Sequence, residues 1–222
     1  MPTPTPTHSY SVKFTTADGK KLPGTITFPA KARGLILFAH GSGSSRLSPR
    51  NRLVALTLEK NNFATFLFDL LTDGEEEANN RALVFDIDFL SKRLADATNW
   101  VKKQPELSSL PIGYFGASTG AAAALQSATK FPTDIFAVVS RGGRPDLAEK
   151  FLPRVQAPTL LIVGGADEDV LELNRQALEM LECKKQLSVI PGATHLFEEA
   201  GTLEQVAQLA QEWFINNLSS HD

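Results

Sequence analysis

Two kinds of hydrophobic pattern divide the chain. Residues 10–14 alternate polar and apolar side chains with the period of a β-strand, residues 18–19 (Asp-Gly) are typical of a hairpin turn, and residues 22–28 supply a return strand. Short, continuously apolar runs follow, as expected for strands that are buried on both faces of a parallel sheet. These strands are predicted at 34–39, 63–68, 111–115, 135–139, 159–163 and 186–190.

Apolar residues with helical spacing lie between several of these strands. Shorter helices are predicted at 53–60, 121–130 and 171–181. Because strands and helices alternate, the pattern predicts an α/β fold, a three-layer α/β/α sandwich with right-handed crossovers. Residues 1–9 are expected to form a flexible tail, and residues 10–222 a single domain. The two clearest helical faces are formed by Ile87, Leu90, Leu94, Ala97 and Val101, and by Leu203, Val206, Ala210 and Trp213.

Composition and charge argue against several classes of binding partner and site. The 222 residues carry 22 Lys and Arg against 25 Asp and Glu, a formal net charge of −3, which argues against nucleic-acid and anionic-membrane partners. No window is apolar enough to span a membrane, and the first residues lack the pattern of a secretory signal, so we expect a cytoplasmic protein. A single cysteine, Cys183, excludes an internal disulfide and a Cys-based zinc cluster. With no matched His and carboxylate cluster, we expect no metal.

The strongest chemical motif is G-x-S-x-G at residues 116–120 (GASTG), between a predicted strand and a predicted helix. A strand-to-helix turn this tight forces strained dihedral angles on Ser118 and leaves no room for side chains at the two flanking glycines. It also exposes the serine hydroxyl beside the N-terminus of the helix, where a developing oxyanion is favoured. An ordinary small-residue turn or a phosphate-binding loop is the alternative interpretation.

A serine nucleophile needs a base, and the base needs an acid. In this architecture the chain order is Ser, then Asp or Glu, then His. His195 follows the last predicted strand and is the histidine that fits this order. The loop after residue 163 offers Asp167 as the acid and Asp169 as the reserve, and Asp169 also suits the cap of the following helix.

The loop after the first parallel strand, residues 40–45 (HGSGSS), is expected to supply the oxyanion hole. A backbone N–H near Ser42 can act with the N–H of Thr119 on the substrate oxygen. The same loop also suggests a dinucleotide site. Arg46 stands where a third glycine would be needed and no helix begins promptly, so we expect no nicotinamide or other cofactor.

With these motifs in order, the chain resembles the α/β-hydrolase superfamily, and its compact build looks most like the dienelactone-hydrolase-like branch. The resemblance covers nearly the whole chain after about residue 10. It implies an eight-stranded, mostly parallel sheet and an acyl hydrolase with Ser118 as nucleophile, His195 as base and Asp167 as acid. It also implies oxyanion-hole N–H groups at Ser42 and Thr119.

Two departures from the family pattern matter. Dienelactone hydrolases proper carry a cysteine nucleophile, whereas this motif carries Ser118, so Cys183 is interpreted as structural and dienelactone itself is in doubt as the substrate. Many relatives insert a cap domain after the sixth strand. Here only residues 141–157 separate that strand from the next. We therefore expect no cap domain and a rather open site.

Several arginines follow strands that end at the catalytic edge. Arg46, Arg50 and Arg52 follow the oxyanion loop, and Arg141 and Arg144 follow the sixth strand. Their guanidinium groups could hold a carboxylate or phosphate of the substrate, with Arg46 and Arg144 as the first candidates. The competing interpretation is that they pair with acidic residues 73–77 at the surface, where ion pairs contribute little.

The sequence thus predicts a serine hydrolase of a small ester, thioester or lactone, without metal or cofactor. A non-catalytic small-molecule-binding protein on the same fold is one alternative, because a fold alone does not define a function. Acyl transfer to an acceptor other than water is another. The oligomeric state is left open.

Overall fold

The computed structural model describes residues 7–77 and 81–218. Eight strands form one sheet in the order β1-β2-β4-β3-β5-β6-β7-β8. In chain order the strands are β1 Thr7–Thr15, β2 Lys21–Pro29, β3 Gly34–Ala39, β4 Phe63–Phe68, β5 Ile112–Ala117, β6 Ile135–Arg141, β7 Thr159–Gly164 and β8 Lys185–Ile190.

Seven α-helices and one 3₁₀ segment occur in this part of the chain. The helices are α1 Pro49–Lys60, α2 Asp73–Glu77, α3 Arg81–Phe85, α4 Ile87–Val101, α5 Thr119–Ala128, α6 Glu168–Met180 and α7 Thr202–Asn217. The 3₁₀ segment is Pro145–Arg154, between β6 and β7.

The hydrophobic pattern of each strand matches its place in the sheet. β1 and β2 form an antiparallel hairpin at one edge, and both show alternating or partial burial. β2 pairs antiparallel with β4, and every later pairing is parallel. Strands β3, β4, β5 and β7 are buried along their whole length, which explains their uninterrupted apolar runs.

Helices cover both faces of the sheet and enclose two apolar cores. One core lies under α4, α5, α6 and the 3₁₀ segment and includes Leu94, Leu125 and Leu152. The other lies under α1 and α7 and includes Leu58 and Trp213. The predicted three-layer α/β/α sandwich is confirmed, and the apolar stripe of α4 is buried as its spacing predicts.

Some boundaries differ from those that the sequence predicted. β1 begins at Thr7, so residues 7–9 belong to the sheet and not to the predicted tail, while residues 1–6 lie outside the described part of the chain. α1 begins at Pro49, because the Ser48 side chain accepts a hydrogen bond from the Asn51 N–H at the N-terminus. The helices α2 and α3 were not predicted, since they are too short to show a periodic pattern. The 3₁₀ segment was not predicted either, because it is kinked at Ala148 and contains Pro153.

The 3₁₀ segment fills the connection between β6 and β7, and no separate cap domain is present among the described residues. None of the helices found over 7–77 and 81–218 is both long and apolar enough to cross a membrane. Within residues 7–77 and 81–218, the carboxyl ends of β3, β5, β6, β7 and β8 reach the edge of the sheet with no domain above them.

Candidate active site

Ser118 occupies the sharp turn between β5 and α5. Its backbone has φ 51° and ψ −121°, a conformation that is costly for any residue with a Cβ atom. A Cβ added at Gly116 would lie 2.5 Å from the Cα of Ala121, and one at Gly120 would lie 2.2 Å from the carbonyl oxygen of Ala39. Both flanking glycines are therefore needed for the close contact of strand and helix, and the turn has the geometry expected of a nucleophile elbow.

Asp167 and His195 are joined by a hydrogen bond of 2.7 Å between Oδ2 and Nδ1. With Nδ1–H donating to the carboxylate, Nε2 is left as the acceptor nitrogen of a neutral imidazole. Asp167 stands at the N-cap position of α6, yet its side chain makes no capping bond and turns to the imidazole. The carboxylate is thus committed to orienting the histidine.

The loops after β7 and β8 hold these two residues together through direct backbone packing. The Ala166 N–H donates to the Ala193 carbonyl at 2.9 Å. A Cβ on Gly164 would lie 2.2 Å from that same oxygen, so only glycine allows the approach. Farther along the second loop, the Thr194 hydroxyl donates to Glu199 at 2.6 Å, and this bond lowers the pKa of the Glu199 carboxyl. Asp167 and His195 are therefore held by a rigid frame.

The loop after β6 lies against both Ser118 and His195. Arg144 N–H donates to the Ser118 carbonyl, and Ser118 N–H donates to the Arg141 carbonyl, both at 3.2 Å. A Cβ on Gly142, which has φ 50°, would lie 3.6 Å from Cε1 of the His195 ring. One short loop thus contacts the serine and the imidazole. In the described residues, the Ser118 hydroxyl itself makes no hydrogen bond.

Asn174 holds the loop after β6 through a side-chain hydrogen bond. It is fully buried on α6, and its side-chain amide donates to the carbonyl oxygens of Gly143 and Val170 at 2.9 and 2.8 Å. This role was not predicted, because an isolated Asn within a helical pattern carries no spacing signal.

His40 ends β3 as a buried, neutral residue. Its Nε2 accepts the Leu70 N–H at 3.0 Å, so Nδ1 carries the proton and donates to the Gly41 carbonyl at 3.0 Å. Burial lowers the pKa of His40, and the Gly41 carbonyl and Asp69 oppose this only in part. His40 therefore ties the oxyanion loop to the loop after β4.

The two predicted oxyanion donors lie next to each other. The Ser42 N–H donates to Thr119 Oγ1 at 3.0 Å, so this donor is already engaged in a hydrogen bond inside the protein. The Thr119 N–H is at the first position of α5, where a helix provides no internal acceptor. A small recess adjoins both residues and is bordered by Leu70, Leu71 and Val84.

The candidate substrate-binding arginines already have carboxylate partners. Arg46 binds Asp69 through its backbone N–H and its guanidinium, and Arg144 makes a two-pronged contact with Asp146 at 2.9 and 2.8 Å. Neither partner belongs to the acidic loop at 73–77 that the sequence suggested. The binding of substrate by Arg46 and Arg144 stays a prediction.

Asp169 does not cap α6 as the sequence suggested. The helix begins at Glu168, so Asp169 is an exposed residue of its first turn. The N-cap position is two residues earlier, at Asp167. Over the described ranges, no group of three or more His, Cys, Asp or Glu side chains could hold a metal ion.

Comparison with known proteins agrees with this architecture. Residues 29–217 match the dienelactone hydrolase family. The chain belongs to that family. A solved dienelactone hydrolase from Anabaena variabilis is 53% identical, with a TM-score of 0.93 over 96% of this chain and 99% of that one. An esterase of Pyrococcus furiosus shares the fold at 18% identity, with a TM-score of 0.76 over 96% of this chain and 94% of its own.

A second kind of relative carries a different name. Proteins from two strains of Mycobacterium tuberculosis, each provisionally named a phosphoribosyl transferase, are 62% identical over 195 residues, or 88% of this chain. The chain spans 44% of the length of each of them. The phosphoribosyl transferase name therefore belongs to proteins more than twice as long as the region that matches this chain.

Proposed function

We propose that this member of the dienelactone hydrolase family is a serine-dependent hydrolase of a small ester, thioester or lactone, with Ser118 as nucleophile, His195 as base and Asp167 as acid. The hydrogen bond between Asp167 and His195 is the observation that carries the proposal. It fixes the tautomer in which Nε2 is free to accept a proton, at an edge of the sheet that also presents a strained serine.

The chemistry would proceed in two half-reactions. His195 Nε2 takes the proton of the Ser118 hydroxyl as Oγ attacks the carbonyl carbon. The tetrahedral intermediate then collapses, and His195 returns the proton to the leaving alcohol or thiol. Water attacks the acyl-enzyme with the same help and releases the acid. The missing hydrogen bond at Ser118 is compatible with this scheme, because such bonds often close only when substrate is bound.

The oxyanion would be held by the N–H groups of Ser42 and Thr119. Each such donor is worth about 3 kcal/mol in comparable sites. Since the Ser42 N–H is bonded to Thr119 Oγ1, the threonine hydroxyl must turn away before the substrate oxygen can use that donor.

We do not assign phosphoribosyl transfer to this chain. The region that aligns with the mycobacterial relatives is largely the region that matches the hydrolase family, and it contains the serine, histidine and aspartate described above. Hydrolysis is the chemistry that these side chains support.

The test is the Ser118→Ala variant assayed on short p-nitrophenyl esters. We expect kcat to fall by about 10⁴-fold or more, because no other group replaces the nucleophile. Mass spectrometry after incubation with a fluorophosphonate should show an adduct at Ser118 in the unmodified protein. An enzyme that keeps near-full activity in the variant, or that takes no label, would contradict the proposal.

A further inference from the structure

Arg141, at the end of β6, is a buried cation with no carboxylate partner in the part of the chain that the structure describes. The residue is 7% exposed, its Nε has no hydrogen-bond partner, and its guanidinium carbon lies 5.9 Å from the centre of the Phe197 ring. Burying a guanidinium without a counter-charge costs free energy, which makes this arrangement unusual in a folded protein.

Arg93 shows how the same fold treats a structural buried arginine. It is 1% exposed, and its guanidinium binds both Asp18 at 3.0 Å and Glu75 at 2.7 Å. Among the described residues, Arg141 has no such partners. The contrast indicates that the site around Arg141 is completed by a group from outside the chain.

Arg50, on the first turn of α1, adds a second cation at the same place. Burial and the positive charge of Arg50 together lower the pKa of Arg141 to about 10. The Nε of Arg50 is likewise buried and unpaired, and its ion-pair contact is a long one of 3.6 Å to the largely exposed Glu198. About a third of the Arg50 side chain is exposed, so the pair can be reached from solvent.

The two arginines lie beside the proposed catalytic residues. The Arg141 carbonyl accepts the Ser118 N–H at 3.2 Å, and Phe197 and Glu198, which contact the two guanidinium groups, directly follow the His195 loop. The backbone of Arg141 thus adjoins Ser118, and both guanidinium groups contact the segment that follows His195.

We propose that Arg50 and Arg141 form a subsite for a phosphate group carried by the substrate, next to the reacting ester, thioester or lactone. The assignment rests on the proposed hydrolase function for its link to catalysis. Two guanidinium groups supply two positive charges and planar pairs of donors. A phosphate monoester, with nearly two negative charges and three terminal oxygens, satisfies both groups, whereas one carboxylate would leave a charge uncompensated.

The experiment measures binding of inorganic phosphate to the full chain by calorimetry and by the thermal midpoint of unfolding. We expect saturable one-to-one binding that raises the midpoint, and affinity at least about tenfold weaker in Arg141→Met and in Arg50→Met. Arg154→Met, at an exposed arginine that contacts Phe151, is the matched control and should bind as the unmodified chain does.

Folding and function are separated in the same preparations. Methionine keeps the apolar volume of Arg141, so Arg141→Met should melt no lower than the unmodified chain in phosphate-free buffer. Arg50→Met, at a partly exposed position, tests the same subsite independently. Phosphate should also slow the labelling of Ser118 by a fluorophosphonate.

The outcomes distinguish the two proposals. Absent phosphate binding, binding that persists in both variants, or acetate that binds as tightly as phosphate would overturn the subsite. If phosphate binds through both arginines while Ser118 takes no label, the hydrolase proposal fails and the anion subsite stands.

Discussion

The two sides of Ser118 are built differently. On the side of the base, the loops after β7 and β8 are bonded backbone to backbone, and Asp167 already holds His195 at 2.7 Å. On the oxyanion side, the Ser42 N–H is bonded to the Thr119 hydroxyl, which a substrate oxygen would have to displace. On the first side Asp167 and His195 are already joined, whereas on the second side an internal hydrogen bond engages the Ser42 N–H.

This difference indicates on which side of Ser118 substrate binding has to rearrange the protein. Under the proposed function, the Asp167–His195 pair needs no rearrangement before the reaction, so binding energy need not be spent on orienting the imidazole. On the oxyanion side, part of the binding energy would go into turning the Thr119 side chain. The following substitutions test the two sides in order of expected effect.

Asp167→Asn should cause the largest loss on the base side. The amide can no longer accept from Nδ1–H as a charged group, so the imidazole loses its fixed tautomer and the stabilisation of its protonated form. We expect kcat to fall by about 10³- to 10⁴-fold with little change in the free energy of unfolding, as measured by ester hydrolysis and urea titration.

Asp169→Asn is the matched control for that substitution. Asp169 is exposed in the first turn of α6 and has no contact with His195 in the structure. If this variant lost as much activity as Asp167→Asn, the assignment of the acid would be wrong.

Gly164→Ala should displace Asp167 and His195, because it disturbs the packing between the two loops that carry them. The new methyl group would lie 2.2 Å from the Ala193 carbonyl, and relieving this contact must separate the two loops that carry Asp167 and His195. We expect a fall in kcat of about 100-fold, since small displacements of catalytic groups are costly. Gly165→Ala, whose nearest contact would be 3.3 Å, should lose much less. Equal losses in the two variants would argue against a rigid frame.

Thr119→Val should have a smaller and opposite effect on the oxyanion side. Valine has nearly the same shape but cannot accept from the Ser42 N–H, so this donor becomes free. The lost hydrogen bond is worth about 0.5–1.5 kcal/mol, and we expect kcat/KM to rise about two- to tenfold. A large fall in kcat/KM would mean that the hydroxyl itself takes part in the reaction.

The free energy of unfolding should depend on pH through His40, which lies beside the loop that carries Ser42. Because burial lowers the pKa of His40 in the folded state, this side chain takes up a proton at a higher pH in the unfolded chain than in the folded one. The contribution is present above the ordinary histidine pKa of about 6.5 and is lost as the pH falls through that value. Urea unfolding at about pH 7.5 and pH 5.5 measures the difference.

A His40→Gln variant should show a flatter dependence of stability on pH. His8→Gln, at an exposed position of β1, is the control and should retain the dependence of the unmodified chain. An unchanged slope for His40→Gln would assign the acid sensitivity to another group.

The sequence predicted the sheet well because its strands are buried on both faces, and continuous apolar runs such as 34–39 and 63–68 are hard to mistake in an alternating α/β pattern. It also singled out Ser118, since the flanking glycines are required by steric contact alone. The helix starts were less certain. The cap at Ser48 and the start of α6 at Glu168 depend on local hydrogen bonds and backbone angles that spacing does not reveal.

The arginines show where sequence reasoning stops. Their place after strands singled out five arginines, with Arg46 and Arg144 as the first candidates and Arg50, Arg52 and Arg141 beside them. Which guanidinium meets a carboxylate depends on side-chain packing between elements distant in the chain, such as Arg46 with Asp69. The pairing of charges was therefore visible only after folding.

The amino-acid sequence by itself determined the order of strands and helices and the tight turn at Ser118, because these follow from local sterics and hydrophobic period. The tertiary structure alone decided that Asp167 and not Asp169 meets His195 and that the Thr119 hydroxyl accepts the Ser42 N–H. It also decided that Arg141 is buried with no carboxylate partner among the described residues. These are contacts between separate loops, and their distances are fixed only when the whole sheet assembles.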